Sequence, residues 1–134
     1  MKILIIDDDA NTLENLKNIL IPAGYEIMTT NEPENAFELF KNEFFDVVIL
    51  DLKMYPVDGL TLLKLFRENN YTTYVIIITG FEEMPALEMV DKLKIQAILK
   101  KPLNIKILIN ELKEIEILRR YEQKMESDNM FKMG

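Results

Sequence analysis

Short apolar runs alternate along this chain with segments of helical periodicity, and five such pairs can be counted. Runs such as Val47-Val48-Ile49-Leu50 and Val75-Ile76-Ile77-Ile78 are continuously hydrophobic. Such runs are typical of parallel strands that are covered on both faces, because a half-exposed strand would alternate apolar and polar residues. The predicted strands are Lys2–Ile6, Tyr25–Thr30, Asp46–Leu50, Thr73–Thr79 and Gln96–Lys100. The second is the most polar and is predicted to lie at an edge.

The segments after the strands carry apolar residues at helical spacing. Five helices are predicted. The first runs from the region of Leu13 to Pro22-Ala23-Gly24, the second begins at Pro33 and the third follows Asp58-Gly59. The fourth runs from Met84 to Leu93, and the fifth from Pro102 to about Met125. Parallel strands need right-handed crossover connections, which these helices supply. The pattern therefore predicts an α/β protein with a (βα)5 doubly wound parallel sheet. Ser127–Gly134 is expected to be frayed.

Composition limits the chemistry that this fold could carry. The chain has 134 residues, enough for one domain, and contains no cysteine and no histidine. Thiolate and imidazole metal ligands are thereby excluded, as is the commonest general base. A net charge of -7 argues against a nucleic-acid-binding surface. The apolar N-terminal run is too short for a signal peptide or a membrane span, so a cytoplasmic protein without membrane contact is expected.

Polar residues follow four of the predicted strands. Asp7-Asp8-Asp9, Asp51, Thr79 and Lys100-Lys101-Pro102 stand at the carboxyl ends of the first, third, fourth and fifth strands. Taken singly, each has an ordinary interpretation as a loop acid, a strand residue or a surface charge, and Asp9 is expected only to cap the first helix. Because the carboxyl ends of parallel strands meet at one edge, the combination predicts a functional site.

Three carboxylates held together repel one another, so Asp7, Asp8 and Asp51 favour a cation. With only hard oxygen ligands available, that cation is predicted to be Mg²⁺. Asp51 then becomes a candidate nucleophile towards phosphorus. Lys101 would add a positive charge near the phosphoryl oxygens and Thr79 a hydroxyl donor.

With these motifs in this order, residues 1–120 resemble a response-regulator receiver domain. The matching motifs are Asp7-Asp8, Asp51-Leu-Lys-Met with Asp58-Gly59, Thr79-Gly80 and Lys101-Pro102. The resemblance implies a flavodoxin-like fold with strand order 2-1-3-4-5. It also implies a signalling switch rather than an enzyme, in which a sensor histidine kinase phosphorylates Asp51 and the conformational change controls an output partner or effector.

The resemblance also implies roles around the metal. Mg²⁺ would be held by Asp8, Asp51 and the backbone carbonyl of Lys53, with Asp7 assisting through water. The approach of a hydrolytic water would be bordered by Lys53 and Phe81. Neither side chain is an acid or amide that could orient the water, so slow self-dephosphorylation is predicted.

The chain departs from the family pattern at three places. Met54-Tyr55-Pro56 replaces the usual Met-Pro. Ile98 stands where an aromatic residue usually swings inward as Thr79 is drawn to the phosphate, so the loop after Thr79 and the fourth helix are predicted to carry the switch instead. Lys94-Ile95 stands where the fourth helix usually ends in glycine. That connection is predicted to be built differently, because the left-handed conformation costs a non-glycine residue energy.

The last predicted helix continues beyond Leu118, where receivers usually end. The expected division is a receiver domain over residues 1–120 and a helix extension with a frayed tail over residues 121–134. Apolar residues with coiled-coil spacing are Ile105, Leu108, Leu112 and Ile115, continued in shifted phase by Leu118, Tyr121 and Met125. At least two of the first four are expected to pack on the sheet. The extra turns predict a homodimer or an effector domain as a further partner.

Three other interpretations of these motifs compete with a receiver domain. An aspartyl-phosphate phosphatase would need an acid at the position of Lys53. A flavin carrier would need a glycine- and hydroxyl-rich loop after the first strand, where three acids would repel phosphate. A degenerate receiver, serving only as a dimerisation module, is opposed by the intact acidic, threonine and lysine set but stays open because of Ile98.

Overall fold

The structure, a computed structural model, describes residues 1–80 and 84–133, with side chains described up to residue 129. The chain forms two compact units, Met1–Leu103 and Asn104–Gly134. Within the described ranges, no helix combines the length and the apolarity that a membrane span requires.

The first unit is a five-stranded parallel sheet with helices between the strands. The strands are β1 (Lys2–Ile6), β2 (Glu26–Thr30), β3 (Val47–Asp51), β4 (Tyr74–Thr79) and β5 (Ile95–Lys100). The helices are α1 (Ala10–Leu20), α2 (Pro33–Asn42), α3 (Gly59–Glu68) and α4 (Leu87–Lys92). The strand order β2-β1-β3-β4-β5 confirms the predicted doubly wound, flavodoxin-like fold. Within this unit, α4 begins at Leu87 rather than at the predicted Met84.

The central strands form the core, as their uninterrupted apolar runs predict. Every residue of β3 is buried, and so are the four residues of β1 from Ile3 to Ile6. By contrast, β2 is an edge strand whose residues are half-buried or exposed. Helix α3 buries Leu62, Leu63 and Phe66 against this core.

Two aspartates fix the starts of helices beside the sheet edge. The Asp9 carboxylate accepts hydrogen bonds from the Asn11 backbone N–H at 3.0 Å and the Thr12 hydroxyl at 2.9 Å, which confirms its predicted capping role. The Asp58 carboxylate accepts from the Thr61 backbone N–H at 2.8 Å and so caps α3. Both caps lie in loops that leave carboxyl ends of strands.

The connection from α4 to β5 corrects the prediction made for Lys94. Lys94 has a φ of 53°, so the chain adopts the left-handed conformation without glycine. The Arg67 guanidinium donates hydrogen bonds to the carbonyls of Leu93 at 2.8 Å and Lys94 at 3.4 Å. These tertiary bonds offset the steric cost that a side chain meets in this region.

The second unit contains one helix, α5 (Ile105–Met133). Asn104 precedes it, and the Asn104 side-chain oxygen accepts hydrogen bonds from the Lys106 and Ile107 backbone N–H groups of the first turn. The helix passes the predicted end at about Met125, and the fraying expected for Ser127–Gly134 is not seen up to residue 133. The reason is local, because neither glycine nor proline interrupts this stretch.

The apolar positions of α5 divide into two groups by exposure. Leu108, Leu112 and Ile115 are fully buried. Leu118, Tyr121 and Met125 are 40%, 63% and 46% exposed. The phase shift seen in the sequence therefore corresponds to a change from buried to exposed side chains, and the predicted domain boundary at residue 120 stays a prediction.

Candidate functional site

The predicted polar residues meet at the carboxyl edge of the sheet. Strand register aligns this edge, since Asp51 lies opposite Ile78 and Thr79 opposite Lys100. Asp7 and Thr79 are completely buried, and Asp51 is 4% exposed. Buried carboxylates are costly unless they are paired or bind a cation. The edge therefore contains an unusual concentration of desolvated charge.

Lys101 pairs with both buried acids. Its Nζ lies 3.2 Å from Asp7 Oδ2 and 3.3 Å from Asp51 Oδ2. The other oxygen of Asp51 accepts a hydrogen bond from the Lys53 backbone N–H at 3.2 Å, and that of Asp7 accepts from the Asp9 backbone N–H at 2.9 Å. Both carboxylates are thus held by one ammonium and one backbone donor each.

Asp8 completes a cluster of three carboxylates. One oxygen from each of Asp7, Asp8 and Asp51 can be chosen so that all three lie within 4.8 Å of one another. Asp8 is exposed, whereas the other two are buried. When all three are ionised, Lys101 leaves the cluster with two uncompensated negative charges. Hard oxygen donors and this excess charge fit a small divalent cation.

The electrostatic environment perturbs both partners of the ion pair. Burial and the adjacent Asp7 charge raise the pKa of Asp51 to about 6, although Lys101 and the Lys53 N–H partly oppose this rise. Burial alone would lower the pKa of Lys101, but the Asp7 and Asp51 carboxylates outweigh it and the pKa is raised. Asp51 is therefore mainly ionised at neutral pH, with a positive partner beside it.

A pH dependence of metal-free stability follows from Asp51. Its pKa rises from 3.8 to about 6 on folding, so the folded state binds the proton more tightly than the unfolded state. Stability from this group is present below pH 4 and is lost as pH rises to 6, by up to about 3 kcal/mol. Urea denaturation of wild type and Asp51→Asn between pH 4.5 and 7.5 measures this: the stability of wild type relative to the variant should fall as pH rises. A pH-independent difference would contradict the assignment.

The predicted switch residues lie on adjacent strands. The Thr79 hydroxyl donates to the Gly80 carbonyl at 3.2 Å. Ile98 is half-buried on β5, opposite Ile77, and packs against the hydrophobic core. In the loop after β3, Tyr55 is 84% exposed. Phe81, predicted to affect the lifetime of a phosphorylated state, lies outside the described residues.

Gly59 positions the end of β3, a role that sequence reasoning missed. A Cβ atom on Gly59 would overlap the Asp51 carbonyl oxygen and would lie 3.0 Å from Leu52 Cα. The Gly59 backbone N–H also donates to the Leu52 carbonyl at 2.9 Å. The first turn of α3 thus rests directly on the backbone of Asp51. The Asp58-Gly59 motif was noted in the sequence, but nothing local indicated this close approach.

The family model for the response regulator receiver domain matches residues 3–113. The chain belongs to this family. Receiver domains are regulatory phosphoacceptor domains of two-component systems rather than conventional enzymes. The assignment covers the entire first unit apart from its first two residues, and it includes all the residues of the carboxyl-edge cluster.

Similar proteins of known family support the assignment of this chain to the receiver domains. The chain is 34% identical to the regulatory protein AtoC of Escherichia coli over 83 residues, which cover 62% of the chain but 18% of AtoC. It is 27% identical to the response regulator receiver protein CpdR of Brucella abortus over 116 residues, which cover 87% of the chain and 97% of CpdR. The chain thus spans about a fifth of the length of AtoC, and nearly all of CpdR.

A solved receiver structure gives the same fold. The response regulator protein TrrA of Thermotoga maritima is 28% identical, with a TM-score of 0.76 over 85% of this chain and 97% of that one. The TrrA structure is a complex with Mg²⁺–BeF.

Proposed function

We propose that this receiver domain is a phosphorylation-dependent switch in which Asp51 accepts a phosphoryl group from a sensor histidine kinase. One observation carries the proposal: the buried Asp51 carboxylate lies 3.3 Å from Lys101 Nζ and within one cluster with Asp7 and Asp8. The cluster provides a nucleophile, a fixed cation and ligands for a metal ion at one point. The degenerate-receiver alternative has no comparable observation in its favour.

The residues of this chain have distinct roles in the transfer. An ionised Asp51 oxygen forms the new bond to phosphorus, while the bond from phosphorus to the imidazole nitrogen of the kinase breaks and its electron pair stays on that nitrogen. Lys101 already faces Asp51 and can turn to a phosphoryl oxygen. Thr79, at the end of the adjacent strand, supplies a hydroxyl donor to another oxygen. Ile98 would limit any inward side-chain movement at its position on β5 after the transfer.

Mg²⁺ is the cofactor that we propose for the carboxylate cluster. Asp8, Asp51 and the Lys53 carbonyl would be its protein ligands, with Asp7 acting through water. When bound, the metal ion neutralises negative charge on the group being transferred. The oxygen-only donor set and the excess negative charge support this choice over softer metals.

The Mg²⁺ dependence of phosphorylation tests this function. With acetyl phosphate as donor, intact-mass spectrometry should show one phosphoryl group on wild type, mapped to Asp51, only when Mg²⁺ is present. Asp8→Asn should raise the Mg²⁺ concentration for half-maximal labelling about tenfold, as expected for a perturbed metal site. Asp9→Asn is the matched control, because asparagine caps a helix as well as aspartate does. Labelling without Mg²⁺, or equal Mg²⁺ dependence in wild type and Asp8→Asn, would refute the assignment.

The lifetime of the phosphorylated state is predicted to depend on Lys53 and Phe81. The Lys53 side chain is exposed beside the cluster and cannot orient a hydrolytic water as an acid or amide would. We expect the Lys53→Asn and Phe81→Glu double variant to lose the phosphoryl group about 10 to 100 times faster than wild type. Loss of radiolabel after removal of the donor gives both rates, and Lys64→Asn, at an exposed lysine of α3, is the control. If the double variant lost the phosphoryl group no faster than wild type, these two side chains would not control the access of the hydrolytic water.

Partners beyond the kinase follow from family membership. We propose that the phosphorylated domain acts on an effector, either a further domain or a separate protein, since relatives such as AtoC are much longer than the matched region. A homodimer through Leu118, Tyr121 and Met125 of α5 stays a prediction, supported by their exposure on one helix.

A further inference from the structure

Helix α4 has few interactions along its length. Its six residues, Leu87–Lys92, include none that is buried, and Leu87 is 86% exposed. Its inward side chains, Met89 and Val90, are only partly buried where they pack against the core. The N-cap residue, Ala86, provides no side-chain hydrogen bond to the first turn. A helix of this length is not stable by itself, so its order depends on tertiary contacts, including those at its ends.

The C-terminal end of α4 is held by Arg67 of α3. The guanidinium donates to the Leu93 and Lys94 carbonyls, and its Nη1 donates to the Tyr71 and Thr73 carbonyls at 2.7 and 2.9 Å. Arg67 thus joins the α3–β4 loop to the α4–β5 connection. Leu93, next to α4, is 5% exposed and adds an apolar contact at the same point. Carbonyls at a helix C-terminus carry partial negative charge, which a guanidinium stabilises.

Lys94, the residue held by Arg67, is itself strained. Its φ of 53° is in the left-handed region, where a Cβ atom crowds the following carbonyl. A lysine released from the Arg67 hydrogen bonds would therefore tend to return to a right-handed or extended conformation. Such a return would redirect the chain at the base of α4. The Arg67 hydrogen bonds therefore hold the connection in the strained geometry that the structure shows.

We propose that Arg67 and Lys94 form a strained joint that controls local opening of α4, independently of the sheet. Arg67 is a positioning residue that holds Lys94 left-handed and thereby keeps α4 docked. When the joint relaxes, α4 detaches while β4 and β5 remain paired. Neither residue belongs to the carboxylate cluster, so the device can be tested without phosphorylation and does not depend on the function proposed for Asp51.

Hydrogen exchange of the full chain, measured by mass spectrometry, separates α4 from the sheet. Arg67→Met should speed exchange of a peptide covering residues 87–93 by about tenfold or more, because it removes hydrogen bonds from a charged donor. Peptides from β4 should keep their protection. Lys64→Met is the matched control, since it removes an exposed cation from the same helix, and it should leave α4 exchange unchanged.

Lys94→Gly tests whether backbone strain at Lys94 is the reason that α4 needs the Arg67 hydrogen bonds. Glycine adopts the left-handed conformation without a Cβ clash. In the Lys94→Gly background, Arg67→Met should therefore speed α4 exchange by a clearly smaller factor than in wild type. Equal factors in the two backgrounds would overturn the strained-joint proposal, as would unchanged α4 exchange in Arg67→Met. Equal loss of protection in α4 and β4 would also overturn it, because Arg67 would then support the whole unit.

Discussion

The Asp51→Asn variant should take up no phosphoryl group from acetyl phosphate under conditions that label the wild-type chain once. An amide has no anionic oxygen to attack phosphorus, so the loss should be complete rather than partial. The substitution preserves shape and removes a buried charge that Asp7 repels. We therefore expect the metal-free variant to be at least as stable as wild type at pH 7, which separates loss of chemistry from loss of fold.

Intact-mass spectrometry with a parallel thermal melt measures both properties. Asp58→Asn is the matched control, because Asp58 is an exposed helix cap close in sequence and asparagine caps equally well. This control should be labelled as wild type is. Stoichiometric labelling that persists in Asp51→Asn would place the phosphoacceptor at another residue, and a variant that fails to fold would contradict the electrostatic account of the site.

Gly59→Ala should destabilise the fold by about 3 kcal/mol or more, in the range of severe single substitutions. The added Cβ would overlap the Asp51 carbonyl oxygen, which is backbone and cannot turn aside as a flexible side chain would. Either α3 must move away from the sheet, which breaks the Gly59–Leu52 hydrogen bond, or the end of β3 must shift. A shift of β3 would displace the Asp51 carboxylate from Lys101, and labelling should then also fall.

Gly80→Ala is a matched control for this effect. Gly80 follows Thr79 at the same sheet edge, but a Cβ there would meet no atom within 4 Å. Its stability should lie within about 0.5 kcal/mol of wild type. Urea denaturation of wild type, Gly59→Ala and Gly80→Ala, with the midpoints and slopes compared, measures the three free energies of unfolding. If both glycine variants lost the same stability, the close approach to Asp51 would not be the cause.

The sheet and the carboxylate cluster were largely predictable because their signals are local. A strand buried on both faces must be apolar throughout, as β3 is, and parallel strands bring their carboxyl ends to one edge by geometry. Asp7, Asp51, Thr79 and Lys101 could thus be placed together before any contact was known. The strand order came from the resemblance to receiver domains, not from the periodicity.

The features that could not be predicted depend on contacts between distant segments. The connection at Lys94 was predicted to avoid the left-handed conformation usually supplied by glycine, yet Arg67, 27 residues earlier, stabilises that conformation at the lysine. Gly59 shows the converse, since its small size is required by the path of β3 and not by a positive φ. The extent of α5 was underestimated for a different reason, because Ser127, Asp128 and Asn129 are weak helix formers and resemble a frayed tail in sequence.

The Lys101–Asp7 pair joins residues 94 positions apart, from opposite ends of the first unit. On a ribosome, both buried aspartates leave the exit tunnel long before the lysine that balances their charge. Among the described strands, β5 is also the last to be synthesised, and it lies at the edge of the sheet beside β4. During biosynthesis the carboxylate cluster therefore gains its balancing cation only after β5 has been made, so a nascent chain that ends before Lys101 holds Asp7 and Asp51 without this ion pair.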